Sequence, residues 1–361
     1  RFAGYVDQYA AAGFQVESQV RYHPPEGKEG DIAAWEEYVR AVVRELARRP
    51  ALSALSITNE ANFDGSRNTS DGAYEGVVDA LIRGIVVARS ELDAIGRGDV
   101  QLGFSMMWRW RPDNDRRFWE EIGEKGTPAF RTAVDYVGLQ VYPGLVWPPT
   151  PMPGRTAGDE VVEALTLLRH CYMPKGQLGP EVATWVSENG YATNLGRSEQ
   201  SQVTDLRSTV ESVHRWSGEL GVTDYRYFNL RDNDSDGQDL FAAVGLLRDD
   251  YSRKPAFDVF RTLVDAHGAD APPPPALAPQ GARPAPRGLR VRVARRGRRT
   301  IMVRGRVLGG RCAGTVRVRV GRRVRRARVR PDCRFRVRAR VRAKRVRVRV
   351  RRGRVVVARR V

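Results

Sequence analysis

Up to about residue 268, short apolar runs alternate with stretches whose apolar positions recur every three or four residues. The short runs, at 14–20, 52–58, 100–108, 136–141, 184–187 and 225–230, have the length and bounding polar turns of buried strands. Between them, 1–12, 32–49, 76–92, 202–217 and 254–264 carry one-sided apolar stripes and predict helices. The stripe of 32–49 is Trp35, Val39, Val42, Val43 and Leu46. Strand–helix alternation implies a parallel sheet, either doubly wound or closed into a barrel. No Gly-rich phosphate fingerprint follows any of these strands, which counts against nucleotide binding.

The pattern changes after residue 268. Residues 269–288 are rich in Pro and Ala and favour extended polyproline II, a semi-rigid linker without a core. Beyond it the period is two. Residues 289–293, 300–307, 316–320, 324–329, 335–341, 346–350 and 355–358 alternate apolar residues with Arg or run short and apolar. Seven short strands broken by Gly-Gly, Gly-Arg-Arg and Pro-Asp predict a small all-β, immunoglobulin-like sandwich, one face packed and one face wet. The expected organisation is a 1–268 α/β domain, a 269–288 linker and a 289–361 basic β-domain.

Charge sharpens that division. The 361-residue chain has a formal net charge of +20, but residues 287–361 hold 32 Lys and Arg against one acid, Asp332. The remaining residues carry 30 bases and 41 acids, so an acidic body bears a strongly basic tail. No apolar stretch approaches the roughly 18 residues of a membrane span. The three Cys and four His show no metal-ligand spacing, and nothing in the pattern asks for a cofactor. Cys312 and Cys333, 21 residues apart in the tail, are expected to pair as a disulfide, with Cys171 alone.

Two of the strand candidates end in a glutamate: Asn59-Glu60 after 52–58, and Glu188 in ATWVSENGYAT. Chemistry-bearing residues at several strand C-termini favour a (β/α)8 TIM barrel over an open sheet. Paired carboxylates at one barrel face are the minimum equipment for acid–base cleavage of a glycosidic bond. With Tyr142 in LQVYPG between them, these segments resemble clan A of the glycoside hydrolases, the retaining (β/α)8 enzymes of the family-5 and family-39 types. The segment GLLRDDYSRKPAFDVFRTL is similar to that clan's closing helix.

That resemblance implies Glu60 as general acid/base and Glu188 as nucleophile, with Asn59 on the sugar 2-hydroxyl and Tyr142 bonded to the nucleophile. His23, in RYHPP, either lines the sugar pocket or is an ordinary rim histidine. Trp108, Trp110 and Trp147 lie at or after strand ends and serve either as sugar-stacking platforms or as barrel core. Arg231 either holds a substrate hydroxyl or carboxylate or pairs with Asp232 or Asp234. The clan's usual tryptophan near the last strand is missing here.

Six strand candidates are two short of a closed barrel, and the missing ones are the first two. The chain also opens on Arg1, so an N-terminally incomplete barrel is expected, its export signal lost with the missing part, and a secreted or cell-surface location. The substrate expected is a β-linked poly- or oligosaccharide. The alternative is an inactive barrel that binds carbohydrate or cell envelope. The tail has almost no aromatics to stack bases, so nucleic acid is not the expected partner. Its Arg face is expected instead to contact an anionic polysaccharide or envelope through a salt-sensitive field.

Overall fold

The computed structural model describes residues 2–109, 111–150, 152–268, 288–295, 300–308, 315–320, 323–330, 334–341, 347–352 and 355–360. The chain divides into two compact units, Arg1–Pro275 and Ala276–Val361. The expected linker, 269–288, lies almost wholly outside the described residues.

In the first unit, β1 (Val16–Val20), β2 (Leu52–Ile57), β3 (Gln101–Met107), β4 (Tyr136–Gln140), β5 (Ala183–Asn189) and β6 (Val222–Tyr227) form one sheet. Neighbours follow chain order and every pair is parallel. The sheet curls into a half-barrel with helices packed on it. Central strands are mostly buried, β4 at all five positions, and therefore read as largely apolar runs. The outermost, β1 and β6, keep partly exposed positions.

Helices cover the sheet through apolar stripes. In α2 (Ile32–Leu46), Trp35, Val39, Val43 and Leu46 are buried, and the Asp31 side chain caps the start by accepting from the Ala34 N–H at 3.1 Å. The other predicted helices are α1 (Phe2–Ala11), α3 (Val77–Ile95), α8 (Glu199–Leu220) and α9 (Pro255–His267). Three more lie where no helix was expected: α4 (Pro112–Lys125), α5 (Pro128–Ala133) and α6 (Ala157–Leu167).

α4 begins in a polar run, and its apolar residues Phe118, Trp119 and Ile122 make only a short stripe. Its start was nevertheless signalled by an acidic first turn, Asp113 and Asp115. The start of α6 is a capping box, in which Thr156 and Asp159 satisfy each other's backbone N–H groups. A π-helical turn, Leu168–Tyr172, and a last turn, α7 (Met173–Lys175), continue from it.

One apolar core, including Leu55, Ile57, Phe104, Trp119, Leu139 and Val186, lies between helices and sheet. A smaller cluster of Met107, Tyr142, Leu145, Ala192 and Val244 includes residues at and beyond the strand C-termini. Nearby, Lys254 and Asp232 form a fully buried ion pair at 2.8 Å; Lys254 also donates to the Thr193 hydroxyl and the Ala243 carbonyl. No helix among the described residues is long and apolar enough to cross a membrane.

Among the described residues, the second unit has the seven strands its period-two pattern predicts. β7 (Gly288–Arg295), β8 (Thr300–Leu308) and β11 (Arg334–Arg340) form one antiparallel sheet in the order β11-β8-β7. β9 (Thr315–Val320), β10 (Arg323–Arg328), β12 (Arg347–Arg352) and β13 (Val355–Arg360) form the other, in the order β10-β9-β12-β13. Leu289, Val291, Ile301, Val303 and Phe335 of the first sheet share a core with Val316, Val318, Val348 and Val350 of the second. Gly305 makes room for Phe335: a Cβ there would meet that ring at 2.2 Å. Cys312 and Cys333 lie outside the described residues, and Cys171 is a free, exposed thiol.

Candidate active site

Strand β2 runs out at Ile57, and the next residues turn sharply. Thr58 and Glu60 both adopt positive φ, 67° and 46°. For a β-branched Thr this is costly, of the order of 1–3 kcal/mol, and it persists only where neighbours over-determine it. Here they do. The Thr58 N–H donates to the Val20 carbonyl at 2.9 Å, the Asn59 N–H to Asp71 Oδ2 at 2.8 Å, and the Glu60 N–H to Ser105 Oγ at 3.2 Å. Asp71, fully buried, also accepts from the Tyr22 N–H at 2.8 Å and from the Arg21 guanidinium at 2.8 and 2.9 Å. One aspartate thus ties the end of β1 to the turn that aims Glu60.

Strand β5 delivers the second carboxyl. Leu139 pairs with Val186, but Gln140 pairs with Glu188, so Ser187 is an extra residue in a bulge. That bulge brings Glu188 opposite Gln140 instead of past it. Gln140 Nε2 donates to Glu188 Oε1 at 2.9 Å, and the Tyr142 hydroxyl donates to Oε2 at 2.5 Å. Gln140 Nε2 also lies 2.7 Å from Asn59 Oδ1 and 3.2 Å from Ser105 Oγ. A single amide therefore links the Asn59-Glu60 turn to Glu188. Gln19, on β1, donates to the same Asn59 oxygen at 2.9 Å, and Asn59 Nδ2 donates to the Thr69 carbonyl at 2.7 Å. Gly190 permits the chain to pass close behind: a Cβ there would lie 2.0 Å from the Phe228 carbonyl oxygen.

The electrostatics follow from burial. Glu60 is only 7% exposed, and loss of water pushes its carboxyl up, opposed by the Ser70 hydroxyl that donates to it and by the charges of Arg21 and Arg109. Glu188 is pushed up to about 7, chiefly by desolvation, with Tyr142 opposing and the charge of Glu60 adding to the rise. Burial and the charge of Glu60 thus act in the same direction on Glu188, and both oppose its ionisation.

Other expected site residues sit differently. Trp147 is half-buried in the loop after β4, its N–H bonded to the Tyr142 carbonyl at 3.2 Å. His23 is exposed, packs on Tyr74, and lines a cavity of about 690 Å³ with Gln19, Arg21, Trp35 and Tyr38. Trp108, for which a sugar platform and barrel core were the two readings, is 5% exposed within the main core. Trp110 lies outside the described residues.

Arg231 pairs with neither Asp232 nor Asp234; it donates to the Asp249 carbonyl at 2.7 Å and stacks over Tyr251, while Asp232 is paired with Lys254. The aromatic after β6 is Phe228, edge-on to Tyr142 at 6.3 Å. Gln140 was legible, since it sits two residues before Tyr142 and so shares its strand face. Ser70, Asp71 and Ser105 carried no local signal.

No family model and no curated protein matches the sequence. Among solved structures the chain is similar to a GH5_18 variant from Streptomyces cattleya in complex with Manb1-4GlcNAc, with a TM-score of 0.54 and 17% identity. It is equally similar to GH5_18 from Streptomyces cattleya in complex with GlcNAc, with a TM-score of 0.54 and 16% identity. Each match covers 76% of this chain and 67% of the other. A β-glucuronidase from Bacteroides uniformis superposes more loosely, with a TM-score of 0.47 and 13% identity over 99% of this chain and 39% of that one. The first unit thus has a glycoside-hydrolase fold.

Proposed function

We propose that the first unit cleaves O-glycosidic bonds by double displacement, with Glu188 as nucleophile and Glu60 as general acid and base. The observation that carries this reading is the pair of donors, Gln140 and Tyr142, holding the two oxygens of Glu188, with the same Gln140 amide bonded to Asn59 beside the desolvated Glu60. A carboxylate held by both oxygens has a fixed rotamer and a stabilised charge, as an attacking group requires.

In the first step the ionised Glu188 bonds to the anomeric carbon as the bond to the leaving oxygen breaks. Glu60 gives that oxygen its proton. Glu188 is now an uncharged ester, so its repulsion of the Glu60 charge disappears and Glu60 becomes a stronger acid, resting ionised. In the second step Glu60 takes a proton from water, the water oxygen bonds to the anomeric carbon, and Glu188 leaves as a carboxylate. Asn59 keeps one Nδ2 hydrogen beyond its bond to Thr69 and is assigned to the sugar 2-hydroxyl.

The substrate we propose is a β-linked oligo- or polysaccharide met outside the cell. The neighbour's bound Manb1-4GlcNAc makes β1-4-linked mannose and N-acetylglucosamine units the first to test. The experiment is hydrolysis of aryl β-glycosides and β1-4 disaccharides, with the anomer released first followed by proton NMR. Retention is expected. Glu60→Gln should lower kcat/KM by about 10²–10⁴ on substrates that need leaving-group protonation yet spare kcat/KM on dinitrophenyl glycosides, whose turnover falls because the second step has lost its base. Inversion, or equal loss on both substrate types, would refute the assignment.

A further inference from the structure

The β11-β8-β7 sheet lines its arginines up across strands. Arg290 pairs with Arg306 and Arg306 with Arg334; one pleat along, Arg292 pairs with Arg304 and Arg304 with Arg336. Both rows are exposed, while Leu289, Val291, Val303, Phe335 and Val337 point into the core between them. The result is a grid of six guanidinium-bearing positions, with rows spaced about 7 Å along the strands and arginines about 4.8 Å apart across them. Met302 lies on the same face, buried, with Arg336 Nε 3.2 Å from its sulfur.

Like charges directly opposite one another on a sheet are destabilising. Residues 287–361 hold one acid against 32 bases, too few to neutralise both rows. The other sheet differs: it has one row of three by register, Arg326, Arg317 and Arg351, and the next is interrupted, Val324 facing Arg319 and Ala358 facing Arg349. Among the described residues, two adjacent complete rows of three occur on the three-stranded face alone.

We infer that this grid is a binding face for a linear acidic polysaccharide, whose regularly spaced carboxylates or sulfates lie across the arginine rows. Regular anions along a flat chain match a flat cationic lattice, and guanidinium forks bind carboxylate and sulfate oxygens in pairs. A single-stranded nucleic acid would be held by aromatic platforms among the cations. The described part of this face has none: Phe335 is the one aromatic of the unit, and it is 2% exposed in the core.

The test uses the full chain and three probes: polygalacturonate for carboxylates, heparin for sulfates and an oligothymidylate for nucleic acid. Titrations run from 50 to 200 mM salt. R292Q/R304Q/R336Q removes one row; R319Q/R328Q/R349Q removes equal charge from the opposite sheet and leaves its row of three intact. The row variant should lose about tenfold or more in polysaccharide affinity, with a shallower salt slope, and the control about threefold or less.

A thermal melt gives an independent readout, because a ligand that binds only the folded state raises its melting temperature. The row variant should melt higher than the parent without ligand, yet lose the polysaccharide-induced rise. Equal weakening by both triple variants would mean diffuse charge and overturn the inference. Tighter binding of oligothymidylate than of either polysaccharide would overturn it in favour of nucleic acid. Preference for heparin or polygalacturonate identifies sulfate or carboxylate as the recognised group.

Discussion

The Tyr142 hydroxyl is the most informative atom to remove. In Tyr142→Phe the ring keeps its edge contacts with Phe228 at 6.3 Å and Phe241 at 5.2 Å, so the packing beneath the site is retained. What disappears is the 2.5 Å donation to Glu188 Oε2. A hydrogen bond to a charged group contributes about 1.5–3 kcal/mol, and one pKa unit corresponds to about 1.36 kcal/mol. The donor favours the ionised carboxylate, so its loss should raise Glu188 from about 7 by roughly one to two units.

Because Glu188 must be ionised to attack, the acid limb of kcat/KM should move to higher pH by that amount. At pH 6 the ionised fraction falls from about one in ten to about one in a hundred or less, and the rate falls with it. The assay is a pH–rate profile on an aryl glycoside from pH 4 to 9 for both proteins, with melting temperatures to confirm the fold. An acid limb that stays put, or moves to lower pH, would refute the role of Tyr142 and the ionised-nucleophile assignment together.

Three further outcomes are expected. Glu188→Gln should be inactive but more stable than the parent above pH 7 by about 2 kcal/mol, allowing for partial exposure. The sign follows from a folded pKa raised above the ordinary 4.5: stability is complete below pH 4.5, is lost progressively up to about pH 7, and stays low beyond, while Gln carries no such penalty. Urea titrations at pH 4 and pH 8 measure this, and an equal difference at both values would contradict it. Gln140→Leu leaves the Asn59 oxygen and Glu188 short of a donor; kcat should fall about ten- to a hundredfold with a smaller change in KM, and the acid limb should rise. Lys254→Met strands buried Asp232 without its cation and should cost about 3–5 kcal/mol in denaturant unfolding, with no shift in the pH profile of the protein that remains folded.

Much of the architecture was legible because burial imposes period. Strands buried on both faces are mostly apolar, as β2 and β4 are, and a sheet with one wet face must alternate, as β9 and β11 do. α4 was missed because its few apolar residues leave a weak stripe, although its acidic first turn marked a helix start. The readings of Trp108 and Arg231 stayed open for a common reason. A sequence shows that an aromatic or a cation stands near a strand end, but not what else competes for its neighbours.

By itself, the sequence determined the residue types and their order: two glutamates at strand ends, a tyrosine between them, and a basic unit with almost no acid of its own. Those are local properties, set by side-chain chemistry and by the run lengths that make strands and helices. Only the tertiary structure decided which atoms meet. The Ser187 bulge sets Glu188 against Gln140, and Asp71, at the start of a 3-10 turn, holds the turn at Asn59 and the end of β1 together. Strand register alone makes rows of the arginines scattered through 290–336. Contacts between residues far apart in the chain depend on register, bulges and loop paths, which no local pattern encodes.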